Sequence, residues 1–127
     1  MQFTLSGLTP GSIYKIANLA KNVIGNSVLS EYVMIGATTL PVAPAQIYKV
    51  AELSSKTALT VSWDKSADPS LPITGYLLKV TKFGSKDYQT IFDGANLPTQ
   101  TQFTYNGVIT GSMYTFIVIA LNYNGQS

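Results

Sequence analysis

The sequence contains no cysteine and no histidine. Thiolate and imidazole zinc sites, cysteine nucleophiles and histidine acid–base catalysis are therefore excluded. Disulfides are excluded too, so cysteine usage says nothing about redox compartment. Arginine is absent as well. The 8 basic residues are all lysine, and they stand against 6 acids for a net charge of +2. That balance is not the footprint of a nucleic-acid-binding protein. No run of 18 or more apolar residues occurs, so no membrane-spanning helix is encoded. Met1-Gln2-Phe3-Thr4 carries neither the charged start nor the apolar stretch of a signal peptide. Charged residues make up only 11% of the chain, against roughly 25% in an average soluble domain. Sparse charge leads us to expect that something covers part of the surface. The apolar fraction, 46%, argues against bulk disorder, and 127 residues fit roughly one domain.

The chain contains an internal repeat. Residues 2–27 align with residues 102–127 at an offset of 100 without a gap. Identical pairs are Gln2/Gln102, Phe3/Phe103, Thr4/Thr104, Gly7/Gly107, Gly11/Gly111 and Ser12/Ser112, then Tyr14/Tyr114, Ala20/Ala120, Asn22/Asn122, Gly25/Gly125 and Ser27/Ser127. A fixed long period signifies tandem structural units. The chain holds the end of one unit and most of the next.

Every element signal is β. Short apolar/polar alternations are separated by Gly, Pro, Asn and Asp. Strands are expected at Ala58–Trp63, Tyr76–Val80, Ser85–Ile91 and Phe103–Tyr105, with the longest at Tyr114–Asn122. Breaks fall at Asp68-Pro69, Leu71-Pro72, Asp93-Gly94, Asn106-Gly107 and Asn124-Gly125. No segment has a helical period with caps. Short, evenly spaced strands indicate an antiparallel sandwich or barrel.

Several motifs, in order, resemble the fibronectin type III domain. Trp63 sits where that family's strand B tryptophan lies, and Pro72-Ile73-Thr74-Gly75-Tyr76 is similar to the entry into strand C. Val108-Ile109-Thr110-Gly111-Ser112-Met113-Tyr114 resembles the tyrosine corner, followed by strand F over Tyr114–Asn122 and a loop over 124–127. Leu8-Thr9-Pro10-Gly11-Ser12-Ile13-Tyr14 repeats the corner in the first unit. The resemblance implies an all-β, antiparallel Greek-key β-sandwich of immunoglobulin-like type. It marks Trp63, Tyr76, Tyr14 and Tyr114 as structural hallmarks, with each corner tyrosine hydrogen-bonded to backbone a few residues upstream. By the same resemblance, residues 1–39 supply strands E, F and G of one domain, with strand G over about Ser30–Ala37. Residues 40–44 form a linker stiffened by Pro41 and Pro44, in which Val42, Ala43 and Pro44 set the angle between neighbours. Residues 45–127 supply strands A to F of a second domain, whose strand G is missing. Either the chain is a window on a longer array, or the open edge takes a strand from elsewhere: its own Ser30–Ala37 in permuted order, or that segment of another copy. Asn18 stands where Val118 points inward in the second unit. A buried Asn must find partners, so the first copy is expected to be looser or shifted there.

Catalytic chemistry is not evident. The carboxylates are Glu31, Glu52, Asp64, Asp68, Asp87 and Asp93. Asp64 and Asp68 are the closest pair, and they read as solvated loop acids. Ser54-Ser55-Lys56-Thr57 reads as a turn. No phosphate loop, calcium loop, N-glycosylation sequon or Arg-Gly-Asp tripeptide occurs. No metal, cofactor or catalytic residue is implied. Exposure is expected for Tyr48, Tyr88 and Tyr123.

The candidate site is a face. If Tyr114, Phe116, Val118 and Ala120 point inward, alternation sends Ile117, Ile119 and Leu121 outward. Likewise inward Tyr76, Leu78 and Val80 send Leu77 outward. Strands C and F are neighbours by the resemblance, so Leu77, Ile117, Ile119 and Leu121 are expected to form one exposed apolar patch, the usual mark of a contact. The expected function is a non-catalytic structural or adhesive module of a multi-domain extracellular, cell-surface or filament protein. Its partners are neighbouring repeats, other copies of the chain in a filament or homo-oligomer, or other proteins. A spacer in a secreted carbohydrate-active enzyme and an intracellular scaffold are the alternatives. Function does not follow from fold alone.

Overall fold

In a computed structural model of the chain, residues 1–67 and 71–127 are described. Asp68 and the Asp68-Pro69 break lie outside the described residues. Strands β3 (Ile47–Lys49), β4 (Leu59–Trp63) and β7 (Gln102–Tyr105) form one antiparallel sheet in the order β3-β4-β7. Strands β5 (Gly75–Lys82), β6 (Gln89–Asp93), β8 (Tyr114–Asn122) and β9 (Gly125–Gln126) form the other, in the order β6-β5-β8-β9. The chain crosses between sheets from β4 to β5, returns from β6 to β7, and crosses again to β8, giving a Greek-key β-sandwich.

Alternation along the strands makes the core. Val61 and Trp63 of β4 meet Tyr76 and Leu78 of β5 and Val118 and Ala120 of β8. Leu78 and Ala120 have no solvent exposure. Burying a leucine completely is worth about 1.5–3 kcal/mol. Trp63 lies edge-on to Tyr76, with ring centroids 5.9 Å apart, and also packs on Phe92. One buried residue breaks the alternation on β4. Thr60 faces away from the core yet has no exposure, because the 3-10 turn Ala51–Leu53 covers it. Its hydroxyl donates to the Leu53 carbonyl at 2.9 Å, so burial leaves it satisfied.

The first unit is a two-stranded ladder. Strand β1 (Ile13–Ile16) pairs antiparallel with β2 (Val33–Gly36), from Ile13↔Gly36 to Ile16↔Val33. Two expectations need correction. The expected strand E of residues 1–39 does not form, and residues 2–5 lie in no strand. Their counterpart β7 is held by β4, and residues 1–39 offer no such neighbour. The loosening expected at Asn18 is present: the residue is exposed and lies beyond the end of β1. β1 stops at Ile16, and Asn18 instead exchanges bonds with Ser30: Ser30 N–H donates to the Asn18 carbonyl at 2.8 Å, and Asn18 N–H to the Ser30 hydroxyl at 3.0 Å. The expected loop over 124–127 folds back as β9, pairing Leu121↔Gln126 and Asn122↔Gly125.

A smaller shift affects the strand expected at Ser85–Ile91, which runs instead over Gln89–Asp93. The preceding residues form a turn, with Ser85 N–H donating to the Lys82 carbonyl at 2.9 Å and its hydroxyl accepting from Asp87 N–H at 3.1 Å.

Candidate contact face

Register places the four candidate residues on one face. Leu77 lies directly across from Ile119, Lys79 from Ile117, and Gly75 from Leu121. Direct cross-strand partners share a face, and Tyr76, Leu78, Val118 and Ala120 occupy the opposite, core-facing side. Leu77, Ile117, Ile119 and Leu121 therefore form a continuous apolar stripe on the outside of the four-stranded sheet. Asp93 lies beside Leu77 and Gln126 beside Leu121, giving the stripe a polar margin. The patch is less open than an exposed patch would be. All four side chains are half-buried, because large neighbours on a pleated sheet shield one another.

The hallmark tyrosines are fixed by hydrogen bonds. Tyr114 Oη accepts from Ile109 N–H at 2.9 Å, and Tyr14 Oη from Thr9 N–H at 2.8 Å. Both corners turn through a glycine with positive φ, Gly11 at 78° and Gly111 at 81°. A side chain is disfavoured in that conformation, which accounts for the repeated glycine. Tyr76 Oη accepts from Ser66 N–H at 3.0 Å. The Trp63 indole N–H is buried without a hydrogen-bond partner among the described residues, so Trp63 contributes through packing.

Tyr48, Tyr88 and Tyr123 are exposed. The Tyr48 hydroxyl donates to Asp64 Oδ2 at 2.9 Å. That bond to a carboxylate raises the Tyr48 phenol above its ordinary pKa. The Thr9 N–H bond, which favours the phenolate, lowers Tyr14. Ser55 anchors the turn expected at Ser54–Thr57: its hydroxyl accepts from Thr57 N–H and Ala58 N–H. Among the described residues, no three Asp or Glu side chains cluster as a metal site would require.

Two features escaped the sequence reading. One is a cleft of about 380 Å³ between β3 and β8, lined by Ile47, Leu59, Val61 and Phe116 among others. It exposes the edge of the core. The other is a set of side-chain bonds from the β8–β9 turn to the end of β2, centred on Asn124. The Asn-Gly dipeptide signals a turn but not what the turn touches.

Comparison with known proteins follows the same architecture. The fibronectin type III domain model matches residues 43–127. Chitinase A1 of Niallia circulans is 31% identical over 134 aligned residues, covering 97% of this chain and 17% of its own length. A Kelch domain-containing protein of Sulfurisphaera tokodaii is 26% identical, covering 98% of this chain and 16% of its own length. The chain thus spans about a sixth of the curated relatives it matches. Among solved structures, the chicken CNTN1 FN1–FN3 domains superpose with a TM-score of 0.62 at 19% identity, over 94% of this chain and 38% of that one. The titin kinase with its flanking domains gives 0.59 at 21% identity, over 71% and 16%. At such identities the likeness is one of fold.

Proposed function

Since the chain belongs to the fibronectin type III family, we propose that it is a non-catalytic structural and adhesive module, a spacer and protein–protein contact domain of a larger extracellular or cell-surface protein. The observation that carries this reading is the apolar stripe of Leu77, Ile117, Ile119 and Leu121. The outside of an antiparallel sandwich sheet is ordinarily polar, whereas these four apolar side chains keep part of their surface open to solvent. The stripe suits a neighbouring repeat or another copy of the chain. Its margin, with Asp93 and Gln126, resembles the polar rim of a protein interface.

Replacing Ile119 with Lys tests the reading. The variant places a charge at the centre of the stripe, on the side away from the core. It is expected to keep its fold by circular dichroism and to lose self-association or partner capture in sedimentation velocity. Unchanged association of a folded variant would remove the stripe from the contact.

A second reading is favoured by the likeness to Chitinase A1 over almost the whole of this chain: a spacer within a secreted carbohydrate-active enzyme. In that case deleting the module from its parent protein would slow hydrolysis of insoluble polysaccharide and spare that of soluble oligosaccharides. On either reading the module itself performs no catalysis.

A further inference from the structure

The β8–β9 turn reaches back 88 residues in sequence to the last strand of the first unit. Asn122 starts this arrangement. Its Oδ1 accepts the Asn124 N–H at 2.8 Å, which fixes the turn. Asn124 then meets the end of β2. Its Oδ1 accepts the Gly36 N–H at 2.7 Å, and its Nδ2 lies 3.0 Å from the Gly36 carbonyl and 2.6 Å from that of Thr38. One carboxamide therefore engages both main-chain groups of Gly36, as a residue of an adjacent strand would. Those groups point away from β1 because the neighbouring residue Ala37 directs its own toward it: Ala37 N–H donates to the Ser12 carbonyl at 2.9 Å, and the Ala37 carbonyl accepts from Gly11 N–H at 3.2 Å. Asn122 Nδ2 adds a bond to the Thr39 carbonyl at 3.3 Å.

An apolar lid shields these bonds. Leu71, 2% exposed, packs on Gly36 so closely that a Cβ there would lie 2.0 Å from Leu71 Cδ1. Exclusion of water strengthens hydrogen bonds beneath such a lid. A side chain at position 36 would force Leu71 to shift.

The repeat supplies a comparison within the chain. The first unit keeps the turn scaffold: Asn22 Oδ1 accepts the Ile24 N–H at 2.9 Å, as Asn122 does for Asn124. At the position of Asn124, however, stands Ile24, which can neither donate nor accept through its side chain and is 93% exposed. The scaffold recurs, whereas the group that reads the preceding strand does not.

We infer that the β8–β9 turn is a docking surface for the final strand of the preceding repeat, and that Asn124, with Leu71 over Gly36, locks the orientation of the two units at this joint. The lock is specific to a predecessor that ends its strand with a glycine whose N–H and carbonyl face the turn, the carbonyl also accepting the Thr38 N–H at 2.9 Å. The linker over 40–44 is then not the sole determinant of the angle; residues 36–39 are held upstream of it. This holds whichever partner the outer face of the sandwich meets, and whether the parent protein is adhesive or enzymatic.

The test is nuclear magnetic resonance on the 127-residue chain, comparing wild type with Asn124→Ala and Gly36→Ala. In the wild type, residual dipolar couplings from the β1–β2 ladder and from the sandwich are expected to fit one alignment tensor. The Gly36 amide is expected to exchange slowly. Asn124→Ala is expected to leave the sandwich spectrum intact, separate the two tensors and accelerate Gly36 exchange by about tenfold or more, the scale of one lost hydrogen bond. Gly36→Ala attacks the joint from the other side, through Leu71, and is expected to separate the tensors with Asn124 unaltered. Should Asn124→Ala unfold the sandwich, Asn124→Asp replaces it: the aspartate accepts from Gly36 but cannot donate, so partial release is expected. A common tensor and unchanged Gly36 exchange in the folded variants would overturn the inference.

Discussion

Two tyrosines make the same hydrogen bond in different settings. Tyr114 and Tyr14 each accept a main-chain N–H five residues upstream, at 2.9 and 2.8 Å. Around Tyr114 the neighbours are rings of the same sandwich, with Tyr105 edge-on at 6.1 Å between centroids. Around Tyr14 there is only the two-stranded ladder. Replacing Tyr114 with Phe leaves the Ile109 N–H without its acceptor, at a cost of about 1 kcal/mol. Replacing Tyr14 with Phe costs its local turn a similar bond but lies outside the cooperative core. Urea unfolding followed by fluorescence of Trp63, the sole tryptophan, separates the two. The midpoint is expected to fall for Tyr114→Phe and to stay in place for Tyr14→Phe. Equal falls would mean that the ladder and the sandwich unfold as one.

At the scale of elements, β5 has two faces with different tasks. Leu78 has no exposure and lies among Tyr76, Val80 and the β8 core residues. Leu78→Ala is expected to cost about 2–5 kcal/mol in chemical unfolding, through lost burial and the cavity left behind. A loss below 1 kcal/mol would contradict the core assignment. Both faces were legible in the sequence, since period-two alternation fixes direction once one residue is placed. The bounds of β8 were legible too, because apolar alternation ends at Asn-Gly punctuation. The extent of exposure was not. Leu77 and Ile119 shade each other across the ladder, and pattern alone does not show the neighbour. The start of β6 was displaced because Ser85 and Asp87 prefer turn bonds to strand pairing, a local competition that apolar pattern does not register. Asn18 was legible as a point of loosening, because a polar side chain at an inward position without burial partners does not continue a strand. Asn124 was invisible as a contact residue, since its partners lie 86 and 88 residues away.

At the scale of the whole chain, β8 has a long partner on one side and, among the described residues, a short one on the other. β5 pairs with β8 along its full length, from Gly75↔Leu121 to Lys82↔Tyr114. On its other side β8 pairs with β9 only at Leu121 and Asn122. Ala120 continues that side through Ser127, whose N–H donates to the Ala120 carbonyl at 3.0 Å. Main-chain groups alternate between the two sides of a strand, so those of Val118 and Phe116 point the same way as those of Ala120, above the cleft lined by Ile47, Leu59 and Val61. A strand edge left bare over core residues takes a further strand, from the same polypeptide or from another copy. Native-state hydrogen exchange on the isolated chain should reveal it residue by residue. The amides of Ile117 and Ile119, facing β5, are expected to exchange only through global unfolding. Those of Phe116 and Val118 are expected to exchange faster by about two orders of magnitude or more, because they open to solvent without unfolding. Raising the protein concentration distinguishes the sources of a completing strand. If another copy donates one, Phe116 and Val118 slow as concentration rises while Ile117 and Ile119 stay unchanged. If exchange at Phe116 and Val118 is fast and independent of concentration, copies of the chain do not complete the edge. Uniformly slow exchange along β8 in dilute solution would show that the edge is already closed, and the strand-addition reading would fall.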